Sequence, residues 1–231
     1  NEMQMSIAYF DDLGRPLQQV DWKRSPAQKD IIQPVVYDAY GRENLKYLPF
    51  VLNDGTGLYK DVSFKTDNDY THNFYDNATY VAHDDRPFRE VVFEASPLNR
   101  PAKQYGAGKD WSQAFNNKYV EHQYLSNIHG MGPSTSDEKV IAWTVNSSNV
   151  PVRATMLTGF IVTGGYYEKG QLTINVTFDE QRNIVREYTN KQGQVILKKV
   201  QVTGTSDLND VTGATPGWAL TYYIYDDFGN L

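Results

Sequence analysis

The chain has 231 residues, 40% of them hydrophobic, with 17 Tyr, 17 Gly, 10 Pro, no Cys and a formal charge of −6. That length buries a sizeable core in one or two domains, and the lack of Cys excludes disulfides and thiolate metal sites. The acidic balance speaks against non-specific nucleic-acid binding, and no apolar run approaches the roughly 18 residues that cross a bilayer.

From the N-terminus, Met5 to Tyr9 alternates apolar and polar residues and runs into a turn at Asp11 to Gly14. Leu17 to Trp22 continues as the return strand, and Lys23-Arg24-Ser25-Pro26 breaks it. Ile31 to Tyr37 and Asn44 to Phe50 are expected to form a second hairpin about Asp38 to Gly41, closed off by the turn cluster Asn53 to Gly57. Between 58 and 90 the alternation lapses. Asn73-Phe74-Tyr75 and Phe88 to Phe93 carry aromatics at spacings that suit short helices, the second ending before Ser96-Pro97. Trp111, Phe115, Tyr119 and Val120 recur at intervals of helical type. Asn127 to Glu138, rich in Gly, Pro, Ser and Asp, is expected to be an exposed, mobile loop.

The second half is plainer β. Lys139 to Val145, Ala154 to Val162 and Gln171 to Phe178 are rich in Val, Ile, Thr and aromatics. Ile184 to Tyr188 pairs naturally with Val195 to Val202 across Asn190 to Gly193. Gly204 to Gly217 is a polar connector before a last, aromatic strand from Trp218 to Tyr225. The fold class is mainly β and antiparallel with minor helix, in three stretches: 1–57, 58–138 and 139–231.

One pattern recurs along these stretches. Asp11-Asp12-Leu13-Gly14-Arg15, Asp38-Ala39-Tyr40-Gly41-Arg42 and Asp226-Asp227-Phe228-Gly229-Asn230 each begin with an Asp and reach a Gly three places on. Asp at the first place of a type I turn accepts hydrogen bonds from the turn backbone, and Gly at the fourth adopts a left-handed conformation that a side chain resists. In a hairpin this makes a type I turn with a Gly bulge. Ser96-Pro97-Leu98-Asn99-Arg100 and Asn190-Lys191-Gln192-Gly193-Gln194 are looser copies, and 179–183 is weaker because Arg182 stands in the Gly place. Repetition of this kind bears on the whole fold.

At these residues the chain resembles the YD-repeat, or Rhs-type, proteins of bacteria, whose repeats run Tyr-Asp-x-x-Gly-Arg as Tyr37, Asp38, Gly41 and Arg42 do. Residues 9–20, 33–50, 92–108, 187–200 and 218–231 are similar to the N-terminal region of very large Rhs-repeat surface proteins of Gram-negative bacteria. The resemblance implies successive hairpins laid side by side into one spiralling sheet, part of the wall of a β-shell, with strand from Tyr119 onward. It implies a secreted or cell-surface location and, as partners, the remainder of the same polypeptide: further repeats and an enclosed C-terminal effector. The start at Asn1 and the end within a repeat at Leu231 fit an excerpt of something longer. Arg15, Arg42 and Arg100 are expected to pair with turn carboxylates of adjacent repeats. Many Rhs-type proteins carry an Asp-Pro-x-Gly core linked to self-cleavage; nothing here matches Asp-Pro, so neither self-cleavage nor a toxin activity transfers to these residues.

Candidate chemistry gives way to plainer accounts. Gly106-Ala107-Gly108-Lys109-Asp110 lacks the spacing and the Ser or Thr of a phosphate loop. Asp67-Asn68-Asp69 lacks the Gly and Glu of a helix-loop-helix calcium site. His72, His83, His122 and His129 show no zinc spacing. There is no Gly-x-Ser-x-Gly and no thiol nucleophile. No catalytic residue, metal or cofactor is assigned. The expected function is a non-enzymatic wall or cap segment. The alternative is an adhesion module binding cell-surface glycan by stacking on exposed aromatics, with Trp22, Trp111 and Trp218 as candidates.

Overall fold

The structure, a computed structural model, describes residues 4–61, 70–81, 83–127, 139–157, 159–160, 162–203, 217–226 and 228–231. It is mainly antiparallel β with one short α-helix and divides into two units, 1–119 and 120–231.

The first unit opens with β1 (Ser6–Phe10) and β2 (Pro16–Asp21), followed by β3 (Ile31–Pro34), β4 (Leu45–Tyr47) and β5 (Phe50–Val51). After α1 (Tyr70–Asn77) come β6 (Phe88–Phe93), β7 (Pro101–Tyr105) and a single 3-10 turn, Lys109–Trp111. One sheet has the order β1-β2-β3-β5. In a second ladder β4 pairs with β6, and β6 with β7. Alternation puts Val20, Ile32 and Phe50 on one face, fully buried, with Tyr9, Leu52 and Phe74 against them. The segment after β5 is tied to the first hairpin by polar groups. The Gln18 side chain bonds both backbone groups of Lys60, as a neighbouring strand would. Buried Asp30 accepts from the backbone N–H groups of Lys23 and Gly57.

Three expectations need correction here. Phe88 to Phe93 is a strand and not a helix: Val91 and Val92 suit the pleat, and β4 and β7 supply its hydrogen-bond partners on both sides. The helix-like spacing beyond residue 109 yields only the 3-10 turn, because the backbone is already extended at Ser112 (φ −72°, ψ 152°), directly after Trp111. The arms of the second hairpin do not pair with each other. A turn forms at Asp38 to Gly41, but β3 ladders with β2 and β5 while β4 goes to β6, so the chain passes from one sheet to another at this corner.

The second unit holds β8 (Val120–Ser126), β9 (Trp143–Val145), β10 (Pro151–Arg153), β11 (Val162–Thr163) and β12 (Tyr166–Tyr167). It continues with β13 (Thr173–Phe178), β14 (Ile184–Thr189), β15 (Val195–Gln201) and β16 (Trp218–Tyr222). Antiparallel pairing runs β8-β13-β14-β15-β16. Ile174, Val176, Tyr188 and Leu197 form the buried face, covered by Val140, Ala142, Ala154 and Tyr167. The strand expected over Ala154 to Val162 is absent between 154 and 157, where only an isolated bridge from Leu157 to Phe160 forms. Gly159, at φ 83°, breaks the extended run. Of the loop expected from Asn127 to Glu138 only Asn127 is described, and it is buried, its side chain bonded to the backbone of Glu168 and Leu172; 128–138, residues 204–216 of the connector and Asp67-Asn68-Asp69 lie outside the described residues.

Candidate functional site

The most regular feature of both units is a corner of five residues. At Asp38 the backbone N–H donates to Arg42 O at 2.8 Å, and Gly41 N–H returns to Asp38 O at 2.9 Å. The carboxylate Oδ1 accepts from the backbone N–H of Tyr40 and of Arg42, at 2.8 and 2.9 Å. The same four bonds close the corners at Asp11, Asn146, Asp179, Asn190 and Asp226. One side-chain oxygen thus holds two N–H groups that the tight turn would leave unpaired. The fourth residue takes positive φ each time, from 56° at Asn149 to 82° at Gly193 and Gly229, and Arg182 adopts 69° despite its side chain. Ser96 gives a partial version, with Asn99 at φ 53°.

A second bond fixes the fifth residue. Asp11 Oδ2 accepts from Arg15 Nε at 2.7 Å, and Asp38 Oδ2 from Arg42 Nε at 2.8 Å. At Asp179 and Asp226 the donor is Asn183 or Asn230 Nδ2. At Asn190 the direction reverses, and its Nδ2 donates to Gln194 Oε1 at 2.8 Å. Arg15 and Arg42 therefore pair with the carboxylate of their own corner, not that of an adjacent one: four residues of tight turn bring the two side chains together. Arg100 pairs with Glu94, which precedes its corner.

What reaches the neighbouring corner is the far end of the same side chain. Arg15 lies over the Tyr37 ring at 4.6 Å, and a Cβ on Gly41 would sit 3.2 Å from its Nη1. Arg42 lies over Phe93 at 4.4 Å and donates from Nη1 to Asn99 Oδ1 at 3.0 Å. Gln194 in the second unit repeats the relation, its Nε2 standing 3.4 Å from where a Cβ on Gly229 would be. In three places the fifth residue of one corner lies beside the fourth residue of the next, and at Asn99 it is hydrogen-bonded to it. The third residue points outward, leaving Leu13, Tyr40 and Phe228 exposed.

The corner carboxyls are held below the usual carboxylate range. For Asp11 and Asp38 the largest cause is the backbone N–H of Arg15 or Arg42; for Asp179 and Asp226 it is the Asn side chain that donates to them. Glu94 is lowered to about 2, chiefly by the Arg100 side chain, and Asp54 to about 2, chiefly by Lys60, which contacts it directly. Groups so committed to donors are poor proton acceptors. Among the described residues, no three His, Asp or Glu side chains gather as a metal site.

Each of the three candidate tryptophans is engaged within its own unit. Trp22 donates its indole N–H to Gly55 O and has Lys23 over its ring, with Gly57 against it. Trp218 is buried at 4% exposure. Trp111, at 36% exposure, packs against Gly106. Trp143, which no sequence pattern singles out, instead borders a cleft of about 450 Å³ in the second unit, between the corners at Asn190 and Asp226 and the short strands β9 and β12. Tyr223, Tyr225, Phe160 and Tyr167 also line it.

Residues 1–126, more than half of the chain, match the family described as "Domain of unknown function (DUF6443)". No curated protein and no solved structure matches.

Proposed function

The chain belongs to the DUF6443 family, and on that premise we propose that it is a non-catalytic structural module: a YD-repeat segment that builds or caps the β-wall of a large secreted or surface protein. The contact from the fifth residue of one corner to the fourth residue of the next supports this reading above all. Arg15 and Gly41, Arg42 and Asn99, and Gln194 and Gly229 occupy the same two corner positions despite different residue types, the middle pair joined by a hydrogen bond and the other two by close approach. A corner that carries its own closing bonds and also a contact for its neighbour is a unit that can be added repeatedly, as in other repeat architectures. The commitment of the corner acids to local donors suits mechanical work better than proton transfer. The wall would enclose or display a C-terminal effector of the same polypeptide.

The test is limited proteolysis of the natural polypeptide that contains this chain. Enclosure predicts that Gly41→Val, which strains a corner and displaces Arg15, makes the C-terminal part cleavable where it was protected. Equal cleavage of that part with and without the substitution would overturn the proposal.

A further inference from the structure

The first sheet of the N-terminal unit has an open edge at β1. Trp22 N–H donates to Met5 O and Asp11 N–H to Arg15 O, so by the alternation of an antiparallel ladder the odd-numbered residues of β1 bond to β2. The N–H and C=O groups of Ser6, Ala8 and Phe10 point the other way, and no hydrogen bond meets them among the described residues. All three residues are exposed. The register skips Leu17 beside Phe10, so the bulge lies in β2 and β1 itself is uninterrupted.

Proteins commonly blunt such an edge with a charge or a proline. In the second unit β10 does so. Asn146 bonds to Val150 and Ala154 to Ala142, which leaves Pro151, without an N–H, and the charged Arg153 as its outward-facing residues. Ser6-Ile7-Ala8-Tyr9-Phe10 carries neither device. Its core-side residues Ile7 and Tyr9 are half-buried, and Tyr59, whose ring meets that of Tyr9 at 5.5 Å, is exposed. Apolar area therefore flanks the row of open backbone donors and acceptors.

The strand is complementary to itself. Antiparallel pairing about Ala8 sets it opposite Ala8 of the partner subunit, and Ser6 opposite Phe10 of the partner subunit, so each outward-facing residue meets another. Between them Ile7 faces Tyr9 of the partner subunit, a β-branched residue against an aromatic on the core side. Asp11 and Asp12 fall opposite Met5 and Gln4 of the partner subunit, so no like charges oppose. A second copy satisfies the edge in backbone, side chain and charge alike.

We propose that two copies of the chain associate through β1, antiparallel about Ala8, and join their first sheets into one. A contact of 5 residues per copy is short, so the dimer is a weak one.

Sedimentation velocity of the whole chain across the micromolar range is expected to show a monomer–dimer equilibrium. Ala8→Pro removes one outward N–H without touching the ladder to β2, and should weaken the dimer about tenfold or more. Circular dichroism melting checks that this variant is folded. The chain has no Cys, so single-Cys variants read the register. Ala8→Cys brings the two thiols to a Cα separation of about 5.5 Å, within reach of a disulfide, whereas Phe10→Cys leaves them roughly 14 Å apart. Mild oxidation should link the first and not the second. A monomer at every concentration overturns the proposal. So does a dimer that folded Ala8→Pro leaves intact, or equal cross-linking of the two Cys variants. If Ala8→Pro does not fold, the cross-linking decides alone.

Discussion

Arg42 donates from Nη1 to the side-chain oxygen of Asn99, 57 residues away, while its Nε stays bonded to Asp38. One planar guanidinium thus closes its own corner and holds the next, and the Phe93 ring beneath it excludes water from one face. Lysine, a point charge on a flexible stem, cannot do both. Arg42→Lys should therefore lose nearly as much as Arg42→Ala, about 1–2 kcal/mol from the bond and the stacking together. Urea unfolding of the two variants checks this. A lysine variant as stable as the wild type would mean that charge alone matters at this position.

The glycines separate backbone strain from neighbour contact. Gly14 and Gly41 have almost the same φ, 75° and 74°, but a Cβ at Gly14 meets nothing within 4 Å whereas one at Gly41 meets Arg15 Nη1 at 3.2 Å. Gly14→Ala should cost about 1 kcal/mol, the left-handed penalty alone. Gly41→Ala should cost more, because Arg15 must also move off its place over Tyr37. Equal losses in thermal or urea melts would show that the stacked corners are not energetically coupled.

These corners are the part of the fold that the sequence states most openly, because one Asx oxygen and one left-handed residue leave a mark at fixed spacing. Even so, Asn146-Ser147-Ser148-Asn149 escapes a pattern built on Asp and Gly, although its four bonds match those at Asp38. An Asn at each of the two special places was the available signal. What the arms do beyond a corner is not local information. Nothing between Ile31 and Phe50 says that β3 and β4 will join different sheets, since that depends on the partners offered by β2, β5 and β6. Arg186 and Lys199 are opposite each other across β14 and β15 and fully buried, where charge would predict an outward-facing pair. The cleft was equally hidden: its lining comes from segments scattered between residues 141 and 229.

Two long side chains sit in the left-handed region at corner positions: Gln28 at φ 55° and Arg182 at φ 69°. Gln28 is exposed and closes a corner in which Ser25 replaces Asp. Gln28→Gly should raise stability by up to about 1 kcal/mol, relieving the strain at the expense of a more flexible unfolded chain. Arg182→Gly should gain less, because it also removes the ion pair with Glu121 and the stacking on Phe178. The order of the two melting temperatures is the measurement; a larger gain at Arg182 would contradict it.

Acid should loosen the corners before the core, and the sign follows from the direction of the shifts. Asp11, Asp38, Asp179 and Asp226 have folded-state values below 3.8, and Glu94 falls from 4.5 to about 2. A depressed carboxyl contributes stability that is fully present above its unfolded value and is lost as pH falls through the folded one. Stability should therefore hold from neutrality down to near pH 4.5 and decline from there toward pH 2. The Asn190 corner supplies the control: it makes the same backbone bonds with no charge, and its Nδ2 donates to Gln194 where Asp38 would accept from Arg42. Replacing Asp38 and Arg42 together by Asn and Gln transplants that uncharged corner. The double variant should stay folded at neutral pH and show a shallower decline below pH 4.5. The single Asp38→Asn leaves Arg42 without its carboxylate and should be the less stable of the two at pH 7. Melting curves of wild type and both variants between pH 2 and 7 decide it. An unchanged acid limb in the double variant would place the acid sensitivity elsewhere in the chain.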